Sequence, residues 1–235
     1  MNTKNMDVVY FVKEGAYNPE LIYSVRSVCK NLKFRRLWFI GGCPKGILPD
    51  VSHPFRRISN VKTKNTAAMF RLVCQIDEIS DDFLFFNDDF FVMKPTDEIK
   101  PRFFGTLEEK SAQIRQQYGS STRWSTLLKI AADELIARRC NTYNFELHCP
   151  MVINKKKMAK IIELFPGVGC KRSLYGNYYN LFEEGEAKPD GKVHSLDIVP
   201  HGLDMLSTDD ISFAQGAVGK EIRGKFPKPS KYEID

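Results

Sequence analysis

Residues 83–95 read FLFFNDDFFVMKP. Two adjacent carboxylates, Asp88 and Asp89, stand inside an apolar run, with Phe85 and Phe86 before them and Phe90 and Phe91 after. Residues 83–86 are apolar at every position and too few for a helix. They read as a central strand whose two faces are both covered, which is the habit of parallel sheets. Parallel strands require crossover connections, usually helical. The run also fixes where charge falls. Asn87, Asp88 and Asp89 come where the strand ends, and open α/β sheets bind ligands beyond the carboxyl ends of their strands. Neighbouring carboxylates repel unless something positive sits beside them. A hard divalent cation such as Mg²⁺ or Mn²⁺ answers that need with oxygen ligands and keeps positions for substrate phosphates. The plainer alternative is a polar turn between strands, but the flanks are phenylalanines rather than the Gly-rich reversal of a hairpin.

The surrounding chain supplies the partners such a strand needs. Residues 7–12, DVVYFV, read as a buried strand opening on a carboxylate, and residues 37–40, LWFI, as a second strand stopped by Gly41-Gly42. Between them Asn18, Pro19 and Glu20 give a helix start: N-cap, first-turn proline, and an acid at the positive end of the dipole. Leu21, Ile22, Val25, Val28, Cys29 and Leu32 then recur at helical spacing. That is a βαβ unit. A basic, turn-rich stretch covers 43–64, and a second helix is expected from about Asn65. Residues 106–140 are helical in pattern, with a stripe of Trp124, Leu127, Leu128, Ala131 and Leu135. Residues 151–153 read as a strand, and 155–165 as a helix stopped by Pro166. The last third is rich in Gly and Tyr and resists assignment. The reading is one α/β domain over 1–235, a mostly parallel sheet flanked by helices, with a helical insertion at 106–140.

Composition narrows the class. No run approaches the roughly 20 apolar residues of a membrane span, and the first residues show no secretion signal. The six cysteines are scattered with no CxxC pair, which argues against a zinc cage and fits reduced thiols in the cytoplasm. The net charge of +6 suits a phosphorylated substrate or polyanion, and equally an ordinary soluble surface.

Several blocks together resemble GT-A glycosyltransferases, and most nearly the Stealth group of sugar-phosphate transferases with related small phage and bacterial enzymes. Residues 7–10 are similar to the opening Stealth strand, 18–28 (NPELIYSVRSV) to its "N-E-L-x-Y-S-L-R-S-I" helix, and 83–91 to its "Y-x-N-D-D-x-F" strand. Residues 146–150 match a short block around a histidine, while 207–210 and 226–233 resemble the closing block. The block order is kept along most of the chain. Two departures stand out: the Trp-containing segment after the first strand is replaced by residues 11–15, and the chain is shorter than most Stealth proteins.

The resemblance implies roles by position. Asn87-Asp88-Asp89 would be the Asp-x-Asp element, with Asp89 and Asp88 on Mn²⁺ or Mg²⁺ and Asn87 or Asp88 reaching the donor. Asp7 and Asn65 would line the nucleotide-sugar pocket. Arg26 and Arg71 either pair with phosphate or are ordinary surface or buttressing arginines. His148, Asp209 and Asp210 are the candidate bases for the acceptor hydroxyl, against a satisfied histidine and a helix cap. His201 is a further possible metal ligand. The basic segment 216–235 is expected to be a mobile flap, with Lys220, Arg223 or Lys225 on the pyrophosphate, or else a solvated tail.

The expected function is metal-dependent transfer of a sugar from a nucleotide sugar to a hydroxyl of a glycan, a protein or hydroxymethylated DNA, in the cytoplasm of a bacterium or phage-infected cell. Sugar-1-phosphate transfer in polysaccharide synthesis is the alternative within the resemblance. A non-catalytic, basic nucleic-acid-binding domain is the alternative of another class, although no helix-turn-helix, zinc-finger or RNP signature is present.

Overall fold

The computed structural model describes residues 3–234. After a single 3-10 turn at Thr3–Asn5, the elements in chain order are β1 (Asp7–Val12), α1 (Pro19–Asn31), β2 (Leu37–Gly41), β3 (Val51–His53), α2 (Lys62–Gln75), β4 (Asp82–Asn87) and β5 (Phe90–Val92). The middle contains β6 (Arg102–Phe103), α3 (Leu107–Tyr118), α4 (Arg123–Ile136), β7 (Met151–Asn154), α5 (Lys155–Leu164) and α6 (Lys171–Tyr178). The chain continues through β8 (Glu186–Ala187), β9 (Lys192–Val193), β10 (Met205–Thr208), α7 (Asp210–Gln215) and α8 (Ala217–Lys225).

The central sheet has the order β3-β2-β1-β4-β7. The first four strands run parallel and β7 returns antiparallel beside β4. This is the expected mostly parallel α/β sheet flanked by helices. The β1 strand and the apolar residues of β4 are buried along their whole length, as strands covered on both faces must be. The expected helix start is also found: Asn18 caps α1 by accepting from the Leu21 amide, with Pro19 in the first turn. Gly41 ends β2 at φ +117, where a Cβ would lie 2.1 Å from the Val12 carbonyl; only glycine allows that approach.

The helical pattern expected over 106–140 takes the form of two helices, each opened by a capping box at Thr106 and Thr122. Two expectations need correction. The second helix begins at Lys62 rather than near Asn65; its polar first turn carries no apolar periodicity to announce it. The segment expected to be a mobile flap is instead the packed helix α8 and a clasped tail. Val218, Ile222 and Phe226 close a second core with Phe91, Leu206 and Phe213. The tail is tied to α1 by a two-point Arg26–Glu233 pair at 2.9 and 2.6 Å, and Tyr232 donates to Asp50 at 2.7 Å.

β4 and β5 belong to different sheets. β5 joins a three-stranded sheet of order β5-β10-β9. Asp88 and Asp89 are the turn between the two sheets. The free edge of β5 is covered by polar side chains of α1: Ser24 donates to the Phe90 carbonyl, Ser27 accepts from the Val92 amide at 3.0 Å, and Asn31 donates to the Val92 carbonyl at 2.6 Å. Spacings of three and four residues put all three on one helix face.

Asp7 is the clearest correction to the expected site. It pairs with Phe83 at the start of β4, whereas Asn87 pairs with Phe11. Asp7 therefore lies at the amino ends of the strands, away from the ligand side of the sheet. Its carboxylate is fully buried and accepts two bonds from Arg35, at 2.8 and 2.6 Å, and one from the Ser80 amide at 3.0 Å. It ties β1 to the segments leading into β2 and β4. Because the Arg35 side chain is 42% exposed, losing its partner costs less than breaking a fully buried pair. Asp7→Ala is expected to lower unfolding free energy by about 1–3 kcal/mol in urea titrations while leaving ligand binding in the cleft unchanged; a selective loss of binding would return Asp7 to the site.

Candidate active site

The carboxyl ends of β1 and β4 open into a cleft of about 1070 Å³. Five segments wall it: the loop after β1 with the start of α1, the loop between β3 and α2 with the start of α2, the β4–β5 turn, Lys192 of β9, and the residues from Thr208 into α7. Asn87, Asp88 and Asp89 all line it. Asp88 accepts from the Asn18 side-chain amide at 2.7 Å, so the residue that caps α1 also orients the first carboxylate. Burial, then the neighbouring Asp89, pushes the Asp88 carboxyl above its ordinary range. One oxygen of Asp89, Oδ2, accepts from the Lys192 ammonium at 2.6 Å and from Ser207 at 3.1 Å. The other, Oδ1, is buried with no hydrogen-bond partner among the described residues.

Glu20, in the first turn of α1, also lines the cleft and is 7% exposed. It accepts from the Thr208 hydroxyl at 2.6 Å. Burial raises its carboxyl to about 8, and the charges of Asp89, Asp210 and Asp88 push in the same direction. At neutral pH Glu20 is therefore mostly protonated, which lessens the repulsion among the acids around it.

Asp209 and Asp210 reach the cleft as expected. Asp209 is the N-cap of α7: it accepts from the Ser212 amide at 2.8 Å and faces His194 Nδ1 at 2.8 Å. Burial pushes the Asp209 carboxyl up, but these bonds outweigh it and bring it down to about 2. Asp210 is exposed in the first turn of the same helix. Asn65 lines the cleft, yet its amide is committed to the 58–59 loop, accepting from Ile58 and Ser59 at 3.1 Å and donating to the Ser59 carbonyl at 2.7 Å. Its place there is to shape the wall.

The other expected residues are not brought together. His148 is absent from the cleft lining; its Nδ1 meets Asp190 at 2.8 Å and its ring lies 6.4 Å from that of Phe90. His201 is exposed on the loop before β10 and outside the cleft. Arg71 is exposed on α2, where it helps burial lower the Lys171 ammonium to about 8. Lys220 points its helix position to solvent, and Arg223 is spent on the Phe213 carbonyl and ring. Arg26 serves the tail clasp, and the Lys225 carbonyl accepts from Lys30 at 3.1 Å. The physical reason is packing and pairing: α8 is held in the second core and Arg26 is held by Glu233.

Sequence reasoning missed Asn18 and Glu20 as site residues because it read them only as a helix start. Ser207 and Thr208 entered only as members of the 207–210 block, with no role of their own, and Lys192 was missed. Lys192 sits on a two-residue strand in the unassigned third of the chain, with no motif around it.

The residues fit a divalent ion of the kind that retains water. Among the described residues no group of three or more His, Cys, Asp or Glu forms a ready cage. Mg²⁺ needs only one or two carboxylates besides phosphate and water. Asp88 together with the unpartnered Asp89 Oδ1 meets that requirement.

No protein-family model and no curated protein matches the chain, so the Stealth resemblance stands on its sequence blocks alone. Among solved structures the chain is similar to glycosyltransferases. One is the galactosyltransferase LgtC in complex with donor and acceptor sugar analogues, with TM-score 0.46 and 12% identity, covering 96% of this chain and 98% of that one. Another is apo GlyE of Streptococcus pneumoniae TIGR4, with TM-score 0.39 and 13% identity, covering 97% of this chain and 52% of that one. A third is apo mouse xyloside xylosyltransferase 1, with TM-score 0.40 and 9% identity, covering 97% and 96%. The chain spans about half the length of GlyE. At these scores and identities the likenesses assign neither activity nor substrate to this chain. No described helix is long and apolar enough to cross a membrane.

The protonated state of Glu20 makes stability depend on pH. Its folded value of about 8 lies above the ordinary 4.5, so the native state holds a proton that the unfolded chain releases. Stability from this group is complete below pH 4.5 and is lost as pH rises towards 8. Glu20→Gln is expected to flatten that decline in urea midpoints measured from pH 5 to 8.5; parallel curves for the two proteins would show that Glu20 is charged in the fold.

Proposed function

We propose that the protein is a glycosyltransferase that moves a sugar from a nucleotide sugar to an acceptor hydroxyl. The observation that carries this reading is the Asp88–Asp89 turn. It sits at the carboxyl end of a central parallel strand, faces a cleft large enough for a nucleotide sugar, and keeps one buried carboxylate oxygen without a partner. Asp88 and Asp89 are the residues that would hold Mn²⁺ or Mg²⁺. When bound, such an ion supplies Lewis-acid stabilisation to the departing diphosphate.

The chain's own residues do the remaining work. Asn18 orients Asp88, while Ser207 and Lys192 orient Asp89. The acceptor oxygen forms a bond to the anomeric carbon as the bond to the diphosphate breaks, and the hydroxyl proton must pass to a base if the configuration inverts. Asp210 suits that step better than Asp209, because Asp209 is engaged as a helix cap and by His194. His148 does not face the cleft and is not placed in this step.

A panel of nucleotide sugars with Mn²⁺ or Mg²⁺, read by hydrolysis and by thermal stabilisation, tests the proposal. At least one donor is expected to stabilise the protein and turn over. Release of a nucleoside diphosphate marks glycosyl transfer, while a monophosphate marks sugar-phosphate transfer. Asp89→Asn is expected to lower turnover by about 10²–10³-fold when assayed well below its melting temperature, which the loss of the mostly buried Lys192 pair lowers. If no donor stabilises or reacts, the protein is not this kind of enzyme.

A further inference from the structure

Of the cationic side chains in the cleft wall, Lys13, Arg57 and Lys62 are exposed and belong to its rim. Lys192 differs: its side chain is 12% exposed, and it sits among the acids at the floor. Its backbone is fixed because β9 pairs with β10 in the register Lys192 to Ser207 and Val193 to Thr208. The ammonium carries three N–H donors. One goes to Asp89 Oδ2 at 2.6 Å and one to the Thr208 carbonyl. The third has no partner among the described residues.

The charge around it calls for such a group. Asp88, Asp89 and Asp210 lie close enough to Glu20 to act on its carboxyl. A diphosphate entering this floor adds at least two negative charges in a region of reduced dielectric, where like charges repel strongly. A lysine held on one of those acids, with a donor to spare, opposes that repulsion before any ion arrives. The ammonium is weakly screened because it is mostly buried.

We propose that Lys192 is a built-in counter-charge for the donor diphosphate. Its spare N–H meets a phosphate oxygen while the other two keep Asp89 in place. The cleft therefore binds a nucleoside diphosphate without a divalent ion, and the ion adds to that affinity rather than creating it. This rests on the glycosyltransferase reading, because it presumes a nucleoside diphosphate in the cleft.

Calorimetric titration of the full chain with uridine, guanosine, cytidine and adenosine diphosphates, once in EDTA and once in Mn²⁺, tests it. Wild-type protein is expected to bind at least one of them in EDTA, and more tightly with Mn²⁺. Lys192→Ala is expected to weaken binding in EDTA by roughly 10-fold or more, as loss of a charge-assisted bond does, and Lys192→Arg to recover most of it. Lys192→Gln, which keeps a donor for Asp89 without the charge, guards against an Ala variant that fails to fold, and is expected to lose affinity as Ala does. Binding with Mn²⁺ but none in EDTA overturns the counter-charge proposal and leaves the enzyme reading standing. So does full-strength binding by Lys192→Gln in EDTA. Absence of binding in both conditions overturns both.

Discussion

The structure depends on how one short strand edge is satisfied. β5 has a strand partner on one side only, β10, and a buried backbone edge left without hydrogen bonds is costly. Ser24, Ser27 and Asn31 fill the missing place from α1. They are buried polar residues on a helix whose other buried positions are the apolar Leu21, Val25 and Val28 and the cleft acid Glu20. Ser24 also bonds to Tyr10 of β1 at 2.8 Å. One helix face thus fixes where β5 lies relative to the central sheet. The two residues between the sheets have no freedom left, and those residues are Asp88 and Asp89.

The same helix sets the electrostatics of the cleft. Its cap, Asn18, holds Asp88, and its first-turn acid, Glu20, reaches Thr208 of β10. The second sheet answers from the other side, with Lys192 and Ser207 on Asp89. Each acid at the floor is thereby treated differently. Asp89 is paired, Asp88 is bonded to a neutral amide, Glu20 keeps its proton, and Asp210 faces solvent. Crowded carboxylates with separate environments can hold separate tasks. The apolar walls contribute by burial: Phe85, Phe86, Phe90 and Phe91 are 2% exposed or less, and close packing of this kind holds the turn rigid.

Elements whose pattern is local were legible before any coordinates. The β1 and β4 strands are near-continuous apolar runs, and the start of α1 announces itself through Asn18 and Pro19. The helical character of 106–140 follows from its periodicity, although the capping threonines that open its two helices went unread. The polar first turn of α2 hid its true beginning, and the two-residue strands β6, β8 and β9 carry too little pattern to be seen. The basic C-terminal segment misled in another way. Its charge suggested phosphate contact, but its apolar residues at 218, 222 and 226 are what place it.

The amino-acid sequence by itself determined the buried strands β1, β2 and β4 and the place of the acids after β4, because burial on both faces and strand ends are properties of contiguous residues; the half-exposed edge strand β3, inside the turn-rich 43–64 stretch, it did not show. It could not determine which distant groups meet those acids. Lys192 reaches Asp89 across 103 residues and Thr208 reaches Glu20 across 188, through a second sheet whose strands are too short to leave a periodic trace. Asp7 shows the converse. Its residue type and its lead position suited a ligand pocket, but the parallel register put it at the far end of the sheet, where Arg35 and Ser80 hold it. Sequence order gives the strand, whereas only packing gives the end of the sheet at which a side chain does its work.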